Sequence, residues 1–205
     1  MTPHTIHEGD PSAEGSSCQR LTSHDDPERA WRVVSLPKNL GGRLTRFADQ
    51  PTVEVRTSIS APPDVVWEYI TDINTSARFQ DEFLEAEWLD DGPALGARFR
   101  GRNAAGSRAW ETTCTIVGFK PNRLFAWAVN DVENPAATWT FRLEESRDET
   151  TLVYHRVVGP GPSGLTYVID KYPDREEEFI DARDAQHRHH MQAVVDGIKQ
   201  LAEEA

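Results

Sequence analysis

SISAPPDVVWEYITD (58–72) is the stretch whose reading decides the fold. An alternating run, VEVRTSIS, stops at Pro62 and Pro63, and an acidic, apolar, aromatic segment begins at once. Proline cannot donate to a strand ladder. It is tolerated in the first turn of a helix, where its missing N–H costs nothing, and Asp64 suits the positive helix start. Val66, Tyr69, Ile70 and Ile73 then recur at i, i+3, i+4 and i+7, the spacing of one helical face. The stretch is a corner between a strand and an amphipathic helix.

Downstream, the segments FLEAEWLD, GARFRGRN, RAWETTCTIVGF, RLFAWAVN, ATWTFRLEE and TLVYHRVV have strand character. DGPALG, AAGS, KPN, DVENP and SRDE separate them as turns. With VEVRTSIS this makes about seven strands, mostly successive hairpins, so the sheet is expected to be antiparallel. GPGPSGLTYVIDKYP reads as a loop, and Asp174 with Glu177 reads as a capping box. A helix of ~30 residues, ~45 Å at 1.5 Å per residue, then runs to near Glu203. It is the only element long enough to cover one face of the sheet, which makes this an α+β domain.

The remaining features set bounds. The chain has 205 residues, 38% of them hydrophobic, enough for one domain with a sizeable core. Residues 1–26 are polar and read as a disordered tail. Residues 27–52 form an N-terminal extension, made basic by Arg29, Arg32, Lys38, Arg43 and Arg46, and residues 53–205 form the domain. The extension either packs on the domain or a neighbouring copy, where it would support a homodimer, or serves as a membrane-surface or partner-binding arm. A net charge of −12 argues against general nucleic-acid binding. No apolar run reaches the ~18 residues of a membrane span, no secretory signal pattern opens the chain, and Cys18 and Cys114 are placed unsuitably for a disulfide framework. A reducing cytoplasm is the expected location.

The order of elements, with APPDVVWEYITD, WLDDGPALGARFRGRN, VGFKPNRLFAW and TWTFRLEE, resembles the START-like (SRPBCC) superfamily, and within it the polyketide cyclase/dehydrase branch, over roughly residues 53–204. The resemblance implies a helix-grip fold, in which a curved antiparallel sheet wraps a long C-terminal helix and encloses a hydrophobic cavity. It also implies a hydrophobic small-molecule ligand. Some such proteins cyclise or dehydrate polyketide chains; others carry lipids, quinones or hormones without chemistry. Fold alone does not choose between them. No cyclase signature is present that would carry over a catalytic residue.

Candidate site residues follow from alternation and helical phase. Trp88, Trp110, Trp127, Trp139 and Phe141 are expected on the inner face, as core filling or as the lining of a pocket. The phase of RAWETTCTIVGF is ambiguous; Trp110, Thr112 and Cys114 are taken as inward. In TLVYHRVV, Leu152, Tyr154 and Arg156 are taken as inward, unless a bulge swaps the faces. In the last helix, Ile180, Arg183, His187, His190, Met191, Val194, Ile198 and Leu201 form one stripe, apolar at both ends and polar in its middle. That middle is a solvated cavity rim, a set of satisfied core histidines, or a polar patch inside a pocket. In the last case His187, His190 and Tyr154 would move protons as catalytic groups, and Arg156 and Arg183 would hold a ligand oxygen. HRHH lacks a third ligand at diagnostic spacing, and no phosphate loop or dinucleotide motif occurs, so neither metal nor cofactor is expected. GPGPSGLTYVIDKYP is either a surface connection or a lid over the pocket.

Overall fold

The computed structural model describes residues 45–146 and 149–205. The tail and most of the basic extension lie outside the described residues. Seven strands form one antiparallel sheet: β1 (Thr52–Ile59), β2 (Phe83–Trp88), β3 (Arg98–Ala105), β4 (Arg108–Lys120), β5 (Leu124–Val129), β6 (Ala137–Ser146) and β7 (Glu149–Val158). Their spatial order is β1-β7-β6-β5-β4-β3-β2, so β2 to β7 form a meander and β1 pairs with the last strand. Among the described residues, three α-helices accompany the sheet: α1 (Pro63–Thr71), α2 (Gly164–Lys171) and α3 (Glu176–Glu203).

The opening corner forms as its residues require. Pro62 caps α1 with an extended backbone and Pro63 begins it, while Val66 and Ile70 are buried against the core. The helix ends at Thr71, short of Ile73. Asn74 beyond it receives the Ala86 N–H at 2.7 Å and donates to the Ala86 carbonyl at 3.0 Å, occupying β2. At the other margin of the sheet, side chains of α3 engage the backbone of β1 and of Ser60 just beyond it. Lys199 donates to the Ser58 carbonyl at 2.6 Å, Arg188 donates to the Glu54 carbonyl at 3.1 Å, and Glu203 accepts the Ser60 N–H at 2.8 Å. Both outer strands thus have backbone groups occupied by the chain itself, which limits edge-to-edge association.

Two local features differ from expectation. GPGPSGLTYVIDKYP is not all loop. Ser163 and Thr166 form a capping box that starts α2, whose Leu165 and Val168 pack with Phe179 and Ile180 of α3. The capping box expected at Asp174 and Glu177 is absent; a 3-10 turn at Pro173–Arg175 leads into α3. Three glutamates in the first turn of α3 complement its dipole, and one of them, Glu176, receives the Phe47 N–H at 2.7 Å. The ambiguous strand is also explained. β4 carries a register shift between Ile116 and Gly118. Even-numbered residues face inward as far as Ile116, Val117 is exposed, and Phe119 turns inward against Trp67 and Phe125. Both alternations are apolar because the strand changes face part-way. β7 has no such shift, and Leu152, Tyr154 and Arg156 are all buried.

α3 lies along the concave side of the sheet. Its Met191, Val194, Val195 and Ile198 complete the main core, while Phe179 and Ile180 belong to the smaller cluster with α2.

Candidate functional site

Between α3 and the sheet lies a cavity of about 480 Å³, within the size range of small-molecule sites. Its sheet wall follows from strand register. Phe125, Phe141 and Tyr154 lie on one rung of β5, β6 and β7, and Trp127, Trp139 and Arg156 lie on the next. All six line the cavity. Trp127 and Trp139 are nearly parallel, with centroids 6.4 Å apart, and Phe141 stacks on Tyr154 at 4.1 Å. Period-two alternation on adjacent strands therefore builds a continuous aromatic panel that ends in a guanidinium. Opposite it, α3 presents His187, Met191 and Val194, spaced by four and three residues and so on one face.

One end of the cavity is polar. Arg183 grips Glu82 with two nitrogens at 2.7 and 2.6 Å, and Gln186 donates to the same carboxylate at 3.1 Å. The side chains of Arg183 and Glu82 retain only 17% and 11% of their exposure. Arg156, 2% exposed, pairs with Asp184 through its Nη2. Burial lowers the affinity of Arg156 for its proton and raises that of Asp184. A guanidinium nonetheless stays protonated, so the pair is ionic. Its Nε is buried without a hydrogen-bond partner, as is Nδ1 of His187.

His187 is 7% exposed and meets the Trp139 ring edge-on at 5.2 Å. Burial, then the charges of Arg183 and Arg156, hold its pKa well below the ordinary imidazole value, so it is neutral near neutral pH. His190 also lines the cavity and is held low, chiefly by burial, although Glu82 and Asp81 oppose this. Its Nε2 lies 3.4 Å from the exposed Asp81. Burial pushes the Tyr154 phenol up and the Cys114 thiol up to about 12. Tyr154 is therefore confined to donating or accepting hydrogen bonds in its protonated form.

The exposed lining residues are Asp72, Arg108, Glu111, Asn130 and Pro162. Arg108 lies over the Trp110 ring at 5.4 Å. The glycines before α2 are spacers rather than hinges. A Cβ on Gly159 would meet the Pro135 carbonyl oxygen at 1.9 Å, and one on Gly161 would meet that of Asn134 at 2.1 Å. The Gly159 and Gly161 N–H groups donate to the Ala136 and Pro135 carbonyls, which stitches this rim to the β5–β6 loop.

Most of the residues singled out from sequence come together: His187, His190, Tyr154, Trp110, Trp127, Trp139, Phe141, Arg156 and Arg183 all line the cavity. Trp88 does not. It packs edge-on against the lining residue Phe99 at 5.6 Å and is not itself part of the lining. Sequence reasoning missed Glu82, Gln186 and Asp184. Glu82 lies 101 positions from Arg183, so no local pattern joins them. Asp184 had a usable signal: it sits at i and i+3 with His187 on α3.

Comparison with known proteins bears on this geometry. A family model described as "Polyketide cyclase / dehydrase and lipid transport" matches residues 50–196. The chain belongs to this family. Among solved structures, the solution structure of the Polyketide_cyc-like protein Cgl2372 from Corynebacterium glutamicum is 27% identical, with a TM-score of 0.54 over 75% of this chain and 90% of that one. The Zhui aromatase/cyclase from Streptomyces sp. R1128 is 19% identical, with a TM-score of 0.55 over 76% and 94%. The di-domain ARO/CYC StfQ from the steffimycin biosynthetic pathway is 13% identical, with a TM-score of 0.57 over 77% of this chain and 52% of that one. The last two likenesses are of fold alone. No curated protein matches the chain. The fold is thus the helix-grip architecture expected from the sequence. No helix among the described residues is long and apolar enough to cross a membrane.

Proposed function

We propose that the protein binds a hydrophobic, oxygenated small molecule in this cavity and acts on it as a cyclase, aromatase or dehydratase of secondary metabolism. The observation that carries this is convergence. An aromatic panel leads to one polar end, where Arg156, Tyr154, His187 and His190 reach the cavity from two different elements. A simple apolar container would have no use for buried imidazoles, which cost free energy to bury. The panel and α3 would fold a flexible substrate into a reactive conformer. Neutral imidazole at His187 or His190 is suited to take a proton from carbon next to a carbonyl. The carbanion would then close a C–C bond onto a second carbonyl, and the same proton, returned to the new alkoxide, would give a β-hydroxy carbonyl. Removal of a second α-proton by the imidazole and its delivery to the departing hydroxide would form the C=C bond and release water. Tyr154, held protonated, would donate a hydrogen bond to the oxygen that gains charge.

A carrier or sensor of a lipid, quinone or similar metabolite is the second reading, and one observation favours it. Both guanidinium groups at the polar end are already engaged by carboxylates, which leaves little free charge for polarising a substrate. The two readings separate in one experiment. Ligand extracted from protein purified from its own host is re-incubated with fresh protein and followed by mass spectrometry. Loss of water or ring closure that is abolished in His187→Ala supports the enzyme; ligand recovered unchanged with wild type refutes it. The expected site of action is the cytoplasm. The expected homodimer would run through residues N-terminal to β1, and sedimentation of full-length and truncated chains tests it.

A further inference from the structure

We infer that the cavity is charge-closed and selects a ligand whose oxygens are neutral, such as a ketone, ester, amide, lactone or phenol, over a free carboxylate of the same shape. The inference rests on the ligand-binding reading above and narrows its chemical class.

The argument is a count of charge at the polar end. Two guanidinium groups reach it, Arg183 and Arg156, and each is already matched by a carboxylate, Glu82 and Asp184 respectively. Gln186 adds a neutral donor that is itself turned to Glu82. His187 is buried and neutral, and His190 is held toward its neutral form. The other charges near these groups add no positive balance. Asp81 faces His190, and Asp181 and Arg188 flank Asp184 with opposite signs. Arg108 lines the cavity over Trp110, and its charge is offset among the lining residues by the exposed Glu111 and Asp72. The chain as a whole carries −12, which adds a field against anions.

A carboxylate entering this end would therefore meet no unmatched cation. It would lose its hydration beside the lining carboxylate of Glu82, and an unpaired buried charge is costly. A neutral carbonyl or hydroxyl needs only hydrogen bonds, which the imidazoles and the Tyr154 phenol supply. Size agrees with a compact ligand. At about 20–30 Å³ per packed non-hydrogen atom or water, the volume holds on the order of twenty atoms. The parallel Trp127 and Trp139 rings favour a flat body.

The test uses an isosteric pair, 2-naphthamide and 2-naphthoate, titrated calorimetrically into the full-length protein at about pH 7.5, where the acid is ionised. The amide is expected to bind at least ~10-fold tighter than the carboxylate. Glu82→Gln removes the negative charge that Arg183 grips and Asp184→Asn the one that pairs with Arg156, so each variant should shrink the preference, by ~10-fold or more, or reverse it. The variants are independent of one another, and the wild-type ratio stands without either. Equal binding of amide and carboxylate by wild type overturns the inference and leaves ligand binding intact. A preference that both folded variants retain also overturns it. Failure of both compounds to bind overturns the inference together with the ligand-binding reading beneath it.

Discussion

Glu82→Ala is the perturbation that most sharply tests how the polar end is held together. The Glu82 carboxylate accepts two hydrogen bonds from Arg183 and one from Gln186, and Arg183 lies more than one hundred positions away in sequence. Removing it leaves a guanidinium at 17% exposure without this partner. Breaking a fully buried pair costs about 3–5 kcal/mol. Here both groups keep some exposure and adjoin a cavity that water can enter, so the expected cost is about 2–3 kcal/mol. For a domain of this size that is a fall in Tm of roughly 5–10 °C. Urea denaturation of wild type, Glu82→Ala, Arg183→Met and the double variant measures it. The double variant should recover at least ~1 kcal/mol relative to the sum of the singles, since it removes the stranded charge. As a control, Glu85→Ala breaks the exposed Arg102–Glu85 pair and should cost no more than ~1 kcal/mol. The reasoning is refuted if Glu82→Ala costs no more than this control, or if the two single changes simply add.

Further outcomes are expected elsewhere. Gly197→Ala would place a Cβ 2.3–2.5 Å from three atoms of the Phe79 ring, and should destabilise by ~1–3 kcal/mol despite alanine's better helix propensity; Phe79→Ala in the same chain should relieve the clash, as thermal unfolding would show. His187 has a depressed folded-state pKa, so the unfolded chain binds the extra proton first as pH falls below about 6.5. Stability contributed by neutral His187 is full above that pH and lost below it, by up to ~1.4 kcal/mol per pH unit; His187→Gln should flatten the decline between about pH 6.5 and 5 in parallel urea titrations. The Cys114 thiol, at about 12, should resist iodoacetamide in the native protein near pH 8 and react in urea, read peptide by peptide so that Cys18 is scored separately.

The sheet and its closing helix were legible because their signals are local. The proline corner at 62–63, the period-two strands and the polar interruption in the α3 stripe each depend on neighbours within one turn or one hairpin. Two misreadings also have local causes. Gly164 and the flanking prolines concealed α2, whose Ser163–Thr166 cap was a usable start signal. The change of face in β4 looked like ambiguity because a bulge exposes Val117 and turns Phe119 inward. The site was only half legible. Register placed the aromatic panel, but the carboxylates that neutralise its guanidinium groups come from elements brought together by the fold. Arg183 and Arg156 could thus be assigned to the pocket from sequence, while the partners that decide what they can still bind could not.

The central claim is that the space between α3 and the aromatic panel is occupied by a small molecule in the cell. Native mass spectrometry of full-length protein purified from its own host tests it most directly. The account predicts a bound species of on the order of twenty non-hydrogen atoms that leaves on gentle activation and is lost when Trp139 and His187 are both replaced by alanine. Protein that carries only its own mass, and takes up no hydrophobic ligand from extracts of that host, would contradict it.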